Sequence, residues 1–178
     1  MADRAPPFAG RLVDGEHVLP LRIYYEDTDA GGIVYHANYL RFAERGRTEM
    51  LRLIGVDQSA MREESGCVFA VRECNALYLL PARLDDAIEV RSRLLEVRGA
   101  SLLARQLVMR GAEELARLDV RIVCLDARLR PVRVPVDVRR TLARLVPSLS
   151  PGRPESVAIA GNNANRSPEV RGRWEATS

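Results

Sequence analysis

The residues best suited to chemistry lie in a short acidic segment near the N-terminus. Asp27 and Asp29 precede a glycine pair, Gly31 and Gly32. Acids at the first and third positions, with glycine at the sixth, resemble the start of a calcium-binding loop. The twelfth position, however, is Asn38, where such a loop needs a bidentate glutamate. The segment therefore predicts no calcium site.

Two interpretations of these aspartates remain open from the residues alone. Both carboxylates can shape a turn by accepting hydrogen bonds from local backbone N–H groups. Alternatively, Asp29 serves catalysis, since it lies nine residues before Asn38, where a helix is predicted to begin. The apolar run at residues 33–35 indicates a loop packed against the core. A carboxylate near a helix N-terminus, whose free N–H groups and dipole stabilise negative charge, suits acyl transfer.

Several other mechanisms are excluded by composition. All 27 residues counted as lysine or arginine are arginine, so Schiff-base lysines, P-loop lysines and Ser-Lys dyads are ruled out. The Gly-x-Ser-x-Gly motif is absent and the histidines are His17 and His36, so no Ser-His-Asp set is evident. His36 directly precedes the predicted helix, where it either packs locally or binds substrate and positions water.

The cysteines and the chain's apolar runs indicate a cellular location. Cys67, Cys74 and Cys124 form no Cys-x-x-Cys pair, so neither a zinc site nor a disulfide framework is predicted. Residues 1–17 lack the apolar core of a signal peptide, and no run approaches the roughly 18 apolar residues of a membrane span. We expect a cytoplasmic protein without a transmembrane segment.

The element that must position Asp29 is a long amphipathic helix, predicted over residues 39–54. Asn38 is its predicted N-cap and Gly55 its predicted C-terminal stop. Its length of about 24 Å is enough to cross a small sheet. Its apolar stripe needs a sheet to cover it, and follows the helical spacing of Tyr39, Phe42, Ala43, Gly46, Met50, Leu53 and Ile54.

Strands supply that partner. A short strand from Pro20 leads into the acidic turn, and alternating apolar residues predict four more strands, at 67–80, 87–97, 101–110 and 114–125. One long helix followed by consecutive antiparallel strands predicts an α+β domain with the helix packed on a sheet face. We expect a flexible N-terminal lead at 1–17, the domain at 18–146 with a short basic helix at 136–146, and a disordered tail at 147–178.

The later strands carry apolar residues on both faces of the predicted sheet. The face opposite Leu102, Val108 and Leu118 is predicted to hold Leu103, Leu107, Met109, Leu115, Val123 and Leu125. A single helix covers one face of a sheet, so both faces require cover and a homo-oligomer is expected.

A long motif connects this sequence to a known family. The stretch YYEDTDAGGIVYHANY at 24–39, followed by Glu44-Arg45 and by RTEMLR at 47–52, resembles the YbgC-type branch of the 4-hydroxybenzoyl-CoA thioesterase family. Weaker similarity at 81–86 and 98–101 extends the match over about residues 20–135. The resemblance implies a hot-dog fold, in which an antiparallel sheet wraps the long helix. It also implies a dimer or a dimer of dimers with active sites between subunits.

The resemblance also implies roles for particular residues. Asp29 would be the catalytic carboxylate, and a backbone N–H near His36 would polarise the thioester carbonyl of an acyl-CoA. His36 itself matches a histidine typical of the branch and is our second catalytic candidate. No metal and no bound organic cofactor are expected. Ala100 departs from the threonine usual in close relatives. The substrate-binding candidates are Gly32, Tyr35, Asn38, Arg98 and Ser101.

Three functions are weighed against one another. Members of the branch are linked to the Tol-Pal envelope system, acyl carrier protein and phospholipid synthesis, so a binding module with little catalysis is the first alternative to a thioesterase. A nucleic-acid binder is suggested by the net charge of +3 and the arginines at 128–144. That basic region has no interleaved aromatic residue, so we expect no nucleic-acid partner. Acyl chain length, and whether Asp29 acts as nucleophile or general base, stay open.

Overall fold

One antiparallel sheet, three α-helices and a short 3-10 helix at Tyr25–Asp27 form the regular structure of residues 9–146, the part of the chain that the computed structural model describes. Residues 1–8 and the predicted tail at 147–178 lie outside the described residues. The sheet order is β1-β2-β4-β5-β6-β3. None of the helices in the described range has the length and apolar composition needed to cross a membrane. The elements are β1 (Arg11–Val13), β2 (Glu16–Arg22), α1 (His36–Leu53), α2 (Gln58–Ser65), β3 (Val68–Tyr78), β4 (Ala87–Val97), β5 (Ser101–Arg110), β6 (Glu113–Leu125) and α3 (Val136–Ala143).

The core lies between α1 and the inner face of β4, β5 and β6. Alternate residues of these strands are buried, as expected for a sheet with one covered face. The apolar stripe of α1 supplies the other side, with Tyr39, Phe42, Ala43 and Met50 all buried. The predicted α+β arrangement of a long helix packed on an antiparallel sheet is confirmed.

The sheet begins earlier in the chain than the sequence indicates. Residues 11–13 pair with 16–18, within the segment expected to be a flexible lead, and His17 is fully buried. Pro20 is accommodated inside β2. The N–H of Ile23 points towards β4 and donates to the backbone oxygen of Asp86. Because the backbone nitrogens of a strand point alternately to its two sides, the nitrogen of Pro20 faces the opposite side, where pairing with β1 extends only to Val18.

The helices also differ from their predicted bounds. α1 begins at His36, and the predicted cap, Asn38, lies inside its first turn with its side chain bonded to the distant backbone oxygen of Asp27. The polar stretch 57–66 forms α2, which was not predicted as a helix. Asp57 caps it by accepting a hydrogen bond from Ser59 N at 2.7 Å.

The outer face of the sheet is covered by ion pairs. Arg105 lies 2.8 Å from Asp119, and Arg117 lies 2.7 Å from Glu114. Arginine stems lie over apolar neighbours in such an arrangement, and the apolar residues predicted to need an external partner are buried or half-buried. The expectation that a second copy covers this face stays a prediction. Exposed apolar side chains instead follow the sheet edge at Val71, Leu77, Tyr78, Leu79 and Leu80.

Candidate active site

Asp29 lies at the tip of a hairpin-like loop between β2 and α1, spanning residues 27–35. Thr28 pairs with Val34 in an isolated antiparallel bridge. Beyond that pair, the N–H of Asp29 donates to Ile33 O at 3.0 Å, and the N–H of Gly32 donates to Asp29 O at 3.0 Å. Gly32 closes the turn at φ +70°, a conformation that favours glycine. The loop thus presents Asp29 outward from the domain.

The Asp29 carboxylate is hydrogen-bonded within its own loop and is also exposed. Its Oδ1 accepts a hydrogen bond from the N–H of Gly31 at 2.8 Å, which is the turn-shaping contact anticipated from the sequence. The side chain is nevertheless exposed. It borders an open depression of about 570 Å³ lined by Tyr25, Thr28, Asp29, Ala30, Gly32 and Leu84. The carboxylate is therefore ordered by its turn and accessible to a ligand.

Unsatisfied backbone donors lie next to this carboxylate. The first N–H groups of a helix have no partner within the helix. For His36 and Ala37, no acceptor is found in the described part of the chain either. The loop register sets Asp29 opposite Ile33, three residues before His36. A carboxylate in the loop and two free N–H donors at the helix start that follows it can serve an acyl carbon and its oxyanion.

Aromatic rings form one wall beside these donors. The exposed ring of His36 lies 4.5 Å from Tyr35 and 6.2 Å from Tyr78 on β3, measured between ring centroids. Tyr78 lies 5.5 Å from Tyr39. Burial raises the pKa of the Tyr39 and Tyr78 phenols, so both stay neutral. Tyr78 was not among the predicted residues, because only the folded sheet brings β3 to the start of α1.

Two contacts anchor the base of the loop to the first turn of α1. The backbone oxygen of Asp27 accepts hydrogen bonds from Tyr35 N and from Asn38 Nδ2, both at 2.9 Å. On the other side, Val34 N donates to Ala82 O at 2.9 Å, and Ala82 N donates to the Tyr39 hydroxyl at 2.9 Å.

Asn38 is therefore not the substrate contact that was expected. Its side chain is 5% exposed, and its amide nitrogen is used by Asp27. Gly32 and Tyr35 remain at the depression and at its aromatic wall, respectively. Tyr25 and Thr28, which line the depression, were not predicted, although their position in the chain beside Asp29 was a usable signal.

Arg98 and Ser101 lie at the far end of the sheet from Asp29. β4 starts at Ala87, opposite Arg22 and next to the loop, and runs eleven residues to the hairpin that holds Arg98 and Ser101. At about 3.3 Å per residue, the length of β4 separates this hairpin from the Asp29 loop by roughly 36 Å. The Arg98 guanidinium pairs with Glu96. A single chain therefore does not bring these two predicted substrate-binding residues to the carboxylate.

A second cavity, of about 70 Å³, lies beneath the C-terminal half of α1. Its rim is polar, with Glu44 paired to Arg47 at 2.6 Å and bonded to Thr48 at 3.0 Å. Its apolar lining includes Phe69 and Val71 of β3. In the described range, no group of three or more His, Cys, Asp and Glu side chains is arranged to hold a metal.

An antiparallel sheet packed on one long helix, with a loop carboxylate beside the helix N-terminus, defines the hot-dog thioesterase class. Solved structures share this fold. A probable thioesterase from Bartonella henselae is 33% identical, with a TM-score of 0.64 over 67% of this chain and 99% of that one. A hypothetical protein from Thermus thermophilus is 33% identical, with a TM-score of 0.68 over 72% of this chain and 98% of that one.

Sequence comparison places the chain more narrowly. Residues 24–142 match the thioesterase-like superfamily. The acyl-CoA thioesterase YbgC of Haemophilus influenzae is 40% identical over 75% of this chain and 99% of its own length. The acyl-CoA thioester hydrolase YbgC of Escherichia coli is 42% identical over 67% of this chain and 90% of its own length. The chain belongs to the thioesterase-like superfamily and to its YbgC-type branch.

Proposed function

We propose that this protein is an enzyme that hydrolyses acyl-CoA to free acid and coenzyme A. The observation that carries the proposal is the exposed Asp29 carboxylate beside the unsatisfied N–H groups of His36 and Ala37. The acyl-CoA thioesterase names of the Haemophilus and Escherichia relatives support it.

The chemistry follows from these groups. The thioester oxygen accepts a hydrogen bond from the N–H of His36, which stabilises the oxyanion. Asp29 then attacks the acyl carbon, the C–S bond breaks with release of the coenzyme A thiolate, and water hydrolyses the resulting mixed anhydride. In the alternative, Asp29 removes a proton from a water molecule that attacks directly. As proposed, both routes need only protein groups and water, with coenzyme A entering as part of the substrate.

Replacing Asp29 by asparagine tests this function. We expect Asp29→Asn to keep the fold and lose at least about 10²-fold in kcat, because an amide can neither attack nor accept a proton. His36→Ala should lose less, since the helix N–H is retained. Asp14→Asn, an exposed aspartate in the β1–β2 turn, is the matched control. Turnover is followed by thiol release from a panel of acyl-CoA chain lengths, and near-wild-type turnover of Asp29→Asn removes Asp29 from the mechanism.

The second candidate is a module that docks acyl carrier protein with little catalysis. A basic surface on and before α3 favours this docking function. Among the arginines of that surface, only Arg140 has an ion-pair partner within the described residues, namely Asp137 at 3.2 Å. Acyl carrier protein as an additional partner of a working thioesterase fits the same surface. The thiol-release assay separates the two functions. The exposed arginines of this surface are Arg128, Arg130, Arg133, Arg139, Arg140 and Arg144.

We further propose a homodimer formed through the edge strand β3, leaving a homotetramer as a possible higher assembly. β3 is eleven residues long, lies at the sheet edge and carries exposed apolar side chains. Antiparallel pairing about a two-fold axis would exchange its ends. The Phe69 end of one copy, with its cavity and its Arg98–Ser101 hairpin, would then approach the Tyr78 end and Asp29 of the other. Arg98 and Ser101 could contact substrate only in this way.

The proposed setting is the cytoplasm, where acyl-CoA occurs and thiols stay reduced. The free state of Cys67, Cys74 and Cys124 fits that setting. A role in lipid metabolism connected with the Tol-Pal envelope system is the proposal that the family resemblance supports.

A further inference from the structure

The two anchors of the Asp29 loop come from consecutive residues of α1. Asn38 reaches Asp27 O, two residues before Asp29, through a bond that is buried at both ends. Tyr39 reaches the other side of the loop through Ala82, whose N–H it binds and whose oxygen accepts from Val34 N. Tyr39 is 3% exposed and Ala82 is fully buried.

These contacts bear on the distance between the Asp29 carboxylate and the start of α1. The same helical turn carries the free N–H groups of His36 and Ala37, so any shift of the loop relative to that turn changes the separation of the carboxylate from those donors. The bridge between Thr28 and Val34 links the two arms of the loop. Each arm also has its own tether, to Asn38 on one side and through Ala82 to Tyr39 on the other.

We propose that Asn38 and Tyr39 are positioning residues that together hold Asp29 at its working distance from the α1 N-terminus. The inference rests on the proposed catalytic role of Asp29. Neither side chain contacts the substrate. Each acts on backbone that flanks Asp29, and a misplacement of about 1 Å in such a constellation can cost about 10²-fold in rate.

The variants Asn38→Ala and Tyr39→Phe each remove one tether. We expect kcat to fall by about 10- to 10²-fold for each, with KM changed much less, because the groups that touch the substrate remain. Tyr24→Phe removes an exposed hydroxyl from the segment before the loop and should behave as wild type. Melting temperatures are measured first, and activity is assayed well below them.

A double-mutant cycle with Asp29→Asn distinguishes positioning from a general structural effect. If the tethers act through Asp29, adding Asn38→Ala or Tyr39→Phe to Asp29→Asn should leave its residual activity nearly unchanged. A further loss equal to that seen in the wild-type background would show that the tethers serve the substrate or the helix donors instead, and would overturn the proposal.

Hydrogen exchange tests the tethers without relying on activity. Amide protons of residues 27–35 should exchange faster in both variants, while those of β4, β5 and β6 keep wild-type protection. Unchanged exchange in the loop would contradict the proposal. If both variants show the faster loop exchange but the wild-type protein hydrolyses no acyl-CoA, the proposed function fails and the tethering of the loop by Asn38 and Tyr39 stands.

Discussion

His17 should make the stability of the N-terminal strands depend on pH. It is fully buried, and its Nε2 lies 2.7 Å from Ala9 O, so that nitrogen carries the proton of the neutral ring. Its Nδ1 has no hydrogen-bond partner among the described residues. Burial lowers the pKa of His17, with the Ala9 bond and the charge of Glu49 acting in the opposite direction. The folded protein therefore favours the neutral form of His17.

The sign of the resulting pH dependence follows from linkage. Below the unfolded-state pKa of about 6.5, His17 binds a proton in the unfolded chain, whereas in the folded chain it binds one only at lower pH. The free energy of unfolding should be highest above about pH 7.5 and should fall as the pH is lowered through 6.5 towards the folded pKa, whereas carboxyl groups titrate near pH 4. Urea titrations between pH 7.5 and 5.5 check this. His17→Gln, which retains a donor, should flatten the dependence, and an unchanged dependence in this variant would show that His17 is not its cause.

At this scale the sequence predicted Asp29 and His36 as site residues because their neighbours along the chain were informative. It misassigned Asn38, whose polar side chain beside a helix start is typical of a cap or a ligand contact. Its true partner, the oxygen of Asp27, is eleven residues away. A hydrogen bond formed only in the folded loop leaves no local pattern. The roles of Asp29 and His36 in catalysis stay predictions until the variants are measured.

The packing of α1 on the sheet depends on Gly46 and a buried amide. Gln106 is fully buried, donates to Ala43 O and Ser92 Oγ at 2.8 Å each, and accepts from Arg47 at 2.7 Å. A Cβ on Gly46 would lie 2.8 Å from Val90 Cγ1 and 3.1 Å from Ser92 Oγ. The helix and β4 thus touch through a residue without a side chain.

Gly46→Ala should therefore destabilise the domain. Overpacking a tight core costs about 1–3 kcal/mol, while alanine gains about 1 kcal/mol in helix propensity. We expect a net loss of up to about 2 kcal/mol, measured by urea denaturation at pH 7.5. Arg45→Ala, at the exposed neighbouring position, is the control and should change stability little. A more stable Gly46→Ala protein would show that the helix moves away from β4 at low cost.

Elements were predictable where the pattern was strong. The bounds of β4 and β5 match their predictions, because alternation and short hairpin links mark both ends. α2 was missed because Met61 is its single buried residue, which leaves no apolar stripe. β1 and the start of β2 were missed because Gly10, Gly15 and Pro20 interrupt the pattern, and pairing with the distant β4 decides their structure.

In the proposed dimer, two copies meet through the edge strand β3. Val71 is 50% exposed and Leu77 is 52% exposed, so replacing them costs a single copy little. Antiparallel pairing about a two-fold axis near the middle of β3 would place the added charge at position 71 of one copy close to the added charge at position 77 of the other.

Val71→Asp combined with Leu77→Asp should therefore give a folded monomer of about half the wild-type mass in light scattering after size exclusion. Its activity should fall with the loss of the shared site. Val136→Asp adds the same charge to exposed α3 and should remain a dimer. A wild-type chain that is monomeric and fully active at 19.9 kDa would contradict the proposed assembly.

The strand order also sets when the molecule can become active during synthesis. The Asp29 loop is synthesised early, yet it is anchored to Ala82. β2 can pair with β4, and β3 with β6, only after those later strands have been made. Such long-range pairing slows folding relative to local pairing. A nascent chain that ends before β6 holds the whole Asp29 loop and all of α1 but lacks the strand that pairs with β3. We therefore expect catalytic competence to arrive with β6, long after Asp29 has been synthesised.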